Sequence, residues 1–278
     1  MIRKKILNPT SSLLEGFDDV GTPDMKYYAF DWDDNIMMMP TKIIVKDEND
    51  NEVGMSTEDF AEYRSEIGVE PFDYKGSKIV GYSDEPFRNF RTGGDKQFKI
   101  DAMKGKPGPA WSDFVEAINN GSIFSIITAR GHNPETIKDA IYNLIISDHM
   151  GINKDLLIKN LRKFRDLSNM EDKSDMEWIK DYMDMNKYYP VSFGTDAGAA
   201  NPEELKVQAM KEFISYVKGQ AKELGKKLYV KDDVNNNFVP SIGFSDDDLK
   251  NVEVMKKSFK DEPVLKTYST AGGTKTRY

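Results

Sequence analysis

The chain has 278 residues, 38% of them hydrophobic and 31% charged, with 20 glycines and 12 prolines. That composition excludes collagen-like and low-complexity classes, and the length suits one large domain with an insertion, or two small ones. Zero cysteines, two histidines and a net charge of −8 exclude disulfides, thiolate metal sites and cysteine nucleophiles, disfavour multi-histidine zinc and make non-specific nucleic-acid binding a poor expectation.

Residues 1–25 read as a polar leader, since basic Met1 to Lys5 is followed by no apolar stretch of a signal peptide. No run approaches the roughly eighteen apolar residues of a membrane span, so a cytoplasmic protein without a membrane partner is expected. Lys26 to Phe30 forms an aromatic strand that ends abruptly in Asp31-Trp-Asp-Asp-Asn35. Lys42 to Lys46 and Glu52 to Met55 predict a hairpin, and Thr57 to Ile67 a helix capped by Ser56 or Thr57. Residues 72–108 read as loops and short strands, with Met37 to Met39 as core filling nearby. A helix from Trp111 to Asn119 stops at Gly121, a buried-type strand runs from Ser122 to Ile127 into Thr128, and Asn133 caps another helix with Pro134 in its first turn.

Residues 152–200 predict a helical insertion whose best basic stretch, Lys159 to Arg165, fits a solvated helix face better than a nucleic-acid contact. Asn201 and Glu204 have capping-box spacing before a helix running to about Leu224. Strands follow at 227–230 and at Val239 to Ser245, then Asp246-Asp-Asp248, a helix from Leu249 to about Phe259 and a tail over 260–278 that is loose from Tyr268 onward. Strands alternating with helices predict a three-layer α/β/α sandwich around a mostly parallel sheet, Rossmann-like in type.

In such a sheet, reactive groups collect beyond the carboxyl ends of the strands. Asp31 and Asp33, Thr128, and Asp246 and Asp247 all fall at such ends. At about 100° per residue, Leu205, Ala209, Met210, Phe213, Ile214 and Val217 form one apolar stripe with Lys206 at its centre, while Lys211 faces away. A lysine there, in the first turns of a core-facing helix, calls for an anionic partner. The bland alternatives are a solvated acidic turn, a strand-end hydroxyl and a lysine that snorkels into water.

Four pieces in this order, Phe30-Asp-Trp-Asp-Asp-Asn35, Ile126-Ile-Thr-Ala-Arg-Gly131, Leu205-Lys206 and Gly243-Phe-Ser-Asp-Asp-Asp248, resemble the haloacid dehalogenase-like superfamily of phosphohydrolases. Asn35 departs from the usual threonine. The resemblance covers Lys26 to Phe259 in outline. It implies a catalytic core over 26–35 and 109–259 and an inserted α+β cap over 36–108.

The resemblance implies a role for each residue. Asp31 attacks phosphorus to form an aspartyl-phosphate, and Asp33 protonates the leaving oxygen and then activates water. Thr128 donates to the phosphoryl group, and Lys206 neutralises the anions. Magnesium, an oxygen-seeking ion, is the implied cofactor, held by Asp31, the backbone carbonyl of Asp33, and Asp246 or Asp247 or both. Asp232-Asp233 is the alternative fourth motif, and Asp248 is read as a helix cap. The reaction implied is magnesium-dependent hydrolysis of a phosphomonoester, with a nucleotide, another phosphorylated small molecule or a nucleic-acid 3′-phosphate all open as substrate. The competing reading is a binding or assembly protein on the same fold with weak or absent chemistry. Arg130 is read as a loop or substrate contact, His132 and His149 as a loop and a helix-end residue. Arg88, Arg91 and Lys96, beside Gly93-Gly94, are candidate cap contacts or surface charge.

Overall fold

The computed structural model describes residues 24–168, 171–195, 201–228 and 239–278. Its central sheet is built around β1 (Asp24–Phe30), whose alternation sends Phe30 to one face and Tyr27 and Ala29 to the other. β1 pairs in parallel with β8 (Phe124–Thr128) on one side and β10 (Val239–Asp246) on the other. Outside these lie β9 (Lys187–Pro190), parallel to β8, and β11 (Leu265–Ser269), parallel to β10, with the short antiparallel β12 (Thr276–Arg277) at the edge. The order β12-β11-β10-β1-β8-β9 reverses direction at β1, which places a topological switch point at the end of that strand. The fold is therefore α/β with a mostly parallel sheet, compatible with a Rossmann-like arrangement.

Helices cover both faces. α3 (Trp111–Asn120), α4 (Pro134–Ile146), α5 (Lys154–Ser168) and α6 (Asp175–Met185) bury Phe114, Ile137, Ile141, Leu157 and Trp178 against Phe30, Phe124 and Ile126. α7 (Pro202–Leu228) and α8 (Leu249–Ser258) bury Met210, Phe213, Val217 and Met255 against Tyr27, Ala29, Ile127, Ile242 and Phe244. Local chemistry sets these helix ends as the sequence predicts. Asn133 accepts from the Glu135 N–H, Pro134 opens α4, and Gly121 terminates α3 at φ 71°, where a side chain would be strained.

Between β1 and α3 the chain leaves the core through a two-stranded neck, β2 (Met37–Met38) antiparallel to β7 (Lys106–Pro107). Gly108 presses against the backbone carbonyl of Asn35 so closely that a Cβ there would collide. Beyond the neck lies an antiparallel sheet of β3 (Ile43–Asp47), β4 (Glu52–Met55), β5 (Phe72–Tyr74) and β6 (Ser77–Tyr82), in the order β4-β3-β6-β5. With α1 (Thr57–Tyr63), capped by Ser56, it encloses a small core of Val45, Met55, Ile67, Tyr74 and Ile79.

Four segments depart from the sequence reading. The predicted loops at 72–108 include α2 (Asp95–Lys104), a helix with a polar exterior that buries only Phe98, Asp101 and Ala102 and so shows almost no apolar stripe. The predicted helical insertion at 152–200 instead contributes α5, α6 and β9 to the core and its sheet. The predicted strand at 227–230 is helical at Lys227 and Leu228, the rest lying outside the described residues. The predicted tail at 260–278 holds β11 and β12, whose polar residues alternate with buried Thr267 and Ser269 instead of with an apolar face. No helix among the described residues is long and apolar enough to cross a membrane.

Candidate functional site

The carboxyl end of β1 is extended by one further ladder bond, from the Asp31 N–H to the Ser245 carbonyl (3.0 Å). Trp32 then turns into the core against Phe98 and Phe114, leaving Asp31 and Asp33 free of that apolar packing. The chain next folds tightly: Ile36 and Met37 donate to the Trp32 carbonyl at 3.2 and 3.1 Å, and Asp34 takes a left-handed conformation, φ 55°. Asn35 holds this turn. Its side-chain amide donates to the Asp31 carbonyl and to the Ser245 carbonyl, both at 3.0 Å, and its oxygen accepts from the Thr270 hydroxyl at 2.8 Å. Asparagine here fastens the loop to β10 and to the end of β11 at once. A threonine could donate only one hydrogen bond.

Lys206 enters from α7. Asn201 caps that helix through the Glu203 N–H (3.1 Å) with Pro202 in the first turn. One turn in, Lys206 is buried within the apolar stripe, and its Nζ donates to Asp31 Oδ1 (2.9 Å) and Asp246 Oδ2 (2.7 Å). Asp246 ends β10, and its other oxygen accepts from the Asp248 N–H and the Asn251 amide, both at 3.0 Å. Asp248 caps α8 through the Lys250 N–H (2.9 Å), as the sequence predicts.

Asp31, Asp246 and Asp247 each bring an oxygen within 4.8 Å of the others'. Burial pushes the Asp31 carboxyl well above the usual carboxylate range; Lys206 opposes this, and Asp246, Asp247 and Asp33 add to it. Asp247 is pushed up to about 8 by burial and by Asp246. Burial alone would lower Lys206, but Asp246 and Asp31 hold it above its ordinary value. With all three ionised, as a bound cation would hold them, the carboxylates against one ammonium leave two negative charges. Hard oxygen donors with that surplus suit a divalent oxygen-seeking cation.

The other expected residues are placed nearby but differently engaged. Thr128 is buried at the end of β8, two residues past the Phe30–Ile126 pair, and its hydroxyl accepts from the Arg130 N–H (3.3 Å). The Asp33 carbonyl accepts from the Asn35 N–H (2.6 Å), while its carboxylate is gripped by Arg130, Nε to Oδ2 and Nη2 to Oδ1, both at 2.7 Å. Asp33 and Arg130 are 97 residues apart, and no local pattern announces the pair. Asp232 and Asp233 lie outside the described residues.

Among the remaining candidates, Arg88 pairs with Glu52 within the insertion, and Arg91 forms a backbone bridge to Gly131 beside Arg130. Arg162, in the basic stretch, pairs with Asp175. Asp34 lies between core and insertion. Burial raises its carboxyl above the ordinary value, a hydrogen bond from the Thr57 side chain opposing, so the first turn of α1 rests on the loop that carries Asp31.

Compared with protein-family models, with curated proteins and with solved structures, the chain matches none.

Proposed function

We propose that this chain is a magnesium-dependent phosphomonoester hydrolase of the haloacid dehalogenase-like type, working through an aspartyl-phosphate on Asp31. The observation that carries the reading is the convergence of Asp31, Lys206, Asp246 and Asp247 beyond the ends of β1 and β10. Three motifs distant in sequence meet there, and the reading needs them together: a nucleophile, a cation and metal-ligating acids.

In this reading Asp31 forms a bond to phosphorus as the ester oxygen departs with a proton from Asp33. Asp33 then takes a proton from the water that releases phosphate from Asp31. Lys206 keeps the nucleophile charged and stabilises the added anion. The Thr128 hydroxyl, at the end of the neighbouring strand, donates to a phosphoryl oxygen. Asp31, Asp247 and Asp246 would hold the magnesium, with Asp247 the freer ligand because Asp246 already accepts three hydrogen bonds. A bound magnesium supplies charge neutralisation at the phosphoryl oxygens.

A phosphorylated small molecule or nucleotide fits the substrate best. The inserted segment contains an open cavity of about 800 Å³ lined by residues including Phe87, Arg88 and Arg91, a size that suits a small molecule, though no residue of the carboxylate cluster lines it. The net charge of −8 argues against an extended nucleic acid. Metal-dependent turnover of p-nitrophenyl phosphate, abolished in Asp31→Asn, is the expected result. Wild-type activity no greater than that control across a panel of phosphate esters would overturn the reading and favour a binding protein on the same fold.

A further inference from the structure

We propose that Arg130 is a positioning residue for Asp33, a role that rests on the phosphohydrolase reading and assigns its acid–base carboxylate a fixed mount. The side chain of Arg130 is buried, and its fork engages both oxygens of Asp33 at 2.7 Å. Planar bidentate pairing fixes the carboxylate in orientation as well as distance, which a lysine could not do.

The guanidinium is itself immobilised. Phe90 and Phe98 stack on it, with its central carbon 4.5 and 4.8 Å from their ring centres. Along its edge, Nη2 donates to the Thr41 hydroxyl (3.3 Å), which donates to buried Asp101 (2.8 Å), and Asp101 accepts again from Gln97 (2.7 Å). Thr41, Phe90 and Phe98 all belong to the stretch between β1 and α3, with Phe98 packed against Trp32 in the main core. The inserted segment therefore grips the arginine, and the arginine grips the carboxylate.

A buried ion pair of this kind adds little net stability over an apolar replacement, so folding alone gives no reason for it. Proton transfer does. A small misplacement of an acid–base group reduces rate steeply. Both oxygens of ionised Asp33 are occupied by the fork, so one of its hydrogen bonds must open for Asp33 to take up a proton from water, which it then passes to the leaving oxygen as the ester bond breaks. The second bond keeps the carboxylate in place until it takes a proton back from the attacking water.

Positioning of an acid predicts a dependence on leaving group that a structural role does not. With magnesium present and leaving-group release followed in the first turnover, before water attacks the phospho-enzyme, Arg130→Gln is expected to lose about a hundredfold in rate on a primary alkyl phosphate, which needs its leaving oxygen protonated, and only about threefold on p-nitrophenyl phosphate. KM should stay nearly constant for both, and Arg130→Lys should restore part of the alkyl-phosphate rate. Equal losses on the two esters would overturn the proposal while leaving the hydrolase reading intact. Should Arg130→Gln fail to fold, Thr41→Val and Phe90→Leu loosen the mount from its edge and one face, and their leaving-group dependence decides in the same way. A wild type that hydrolyses neither ester sinks the hydrolase reading and this role with it.

Discussion

Burying Lys206 against Asp31 and Asp246 takes three charges out of water, and such an arrangement persists only while its members compensate one another. Lys206→Met keeps the side-chain volume and removes the compensation. It is expected to lower unfolding free energy by roughly 3–5 kcal/mol, measured by denaturant titration, and magnesium should recover part of that loss if the carboxylates bind it. A wild-type stability in the variant would mean that the acids neutralise themselves by protonation. His132 offers a second case. It is buried with neither ring nitrogen hydrogen-bonded to a neighbouring side chain, and burial together with Arg130 pushes it down to about 4. The unfolded chain takes up this proton as pH falls through the ordinary value of 6.5, the folded chain only near 4. The stability contributed by neutral His132 is therefore complete above 6.5 and is lost as pH falls from 6.5 to 4, by roughly 3 kcal/mol. His132→Leu should flatten that part of the stability profile; parallel profiles for the two proteins would refute the assignment.

Among elements, legibility followed locality. α3, β8 and α4 were readable because their signals are adjacent in sequence: an apolar stripe, a glycine stop, a buried strand, and an asparagine cap before proline. Lys206 was readable because helical periodicity alone puts it on the apolar face of α7. α2 and β11 were not, since each owes its place to tertiary contacts that its own residues do not advertise. The Arg130–Asp33 fork was hidden for the same reason, as pairing across 97 residues leaves no spacing to read. The neck is an element whose geometry can be tested directly. Gly108 donates to the Ile36 carbonyl at 2.8 Å and leaves no room for a Cβ beside Asn35. Gly108→Ala should displace the Asn35 backbone and cost about 2 kcal/mol or more, with the Asn35 link to Thr270 weakened. A variant with unchanged melting temperature would show that the neck yields without strain.

At the scale of the molecule, the central sheet is protected at both edges. β9 closes one side and ends in Pro190, and the two-residue β12 closes the other, devices that discourage edge pairing. The residues after 264 therefore guard the sheet, and through Thr270 they also support Asn35 and accept a place beside Asp246, whose carbonyl takes the Thr270 N–H at 3.0 Å. A chain ending at Val264 would bare the edge of β10 from Ile242 to Asp246 and is expected to self-associate, visible as early elution and light scattering. A monodisperse truncated protein with intact cation binding would show that β11 and β12 are dispensable.

The pairing of β1 with β10 carries a temporal meaning as well. Asp31 meets Lys206 across 175 residues and Asn35 meets Ser245 across 210. Contacts so distant close late in folding, because each must offset the entropy of a long loop. During synthesis the first strand emerges with its acids long before their lysine exists, and until then Asp31 is an ordinary hydrated aspartate. The charged cluster, and any affinity for a divalent ion that goes with it, is consequently a signature of the finished chain: it switches on once, when the last third of the protein docks, and a partly folded molecule does not carry it.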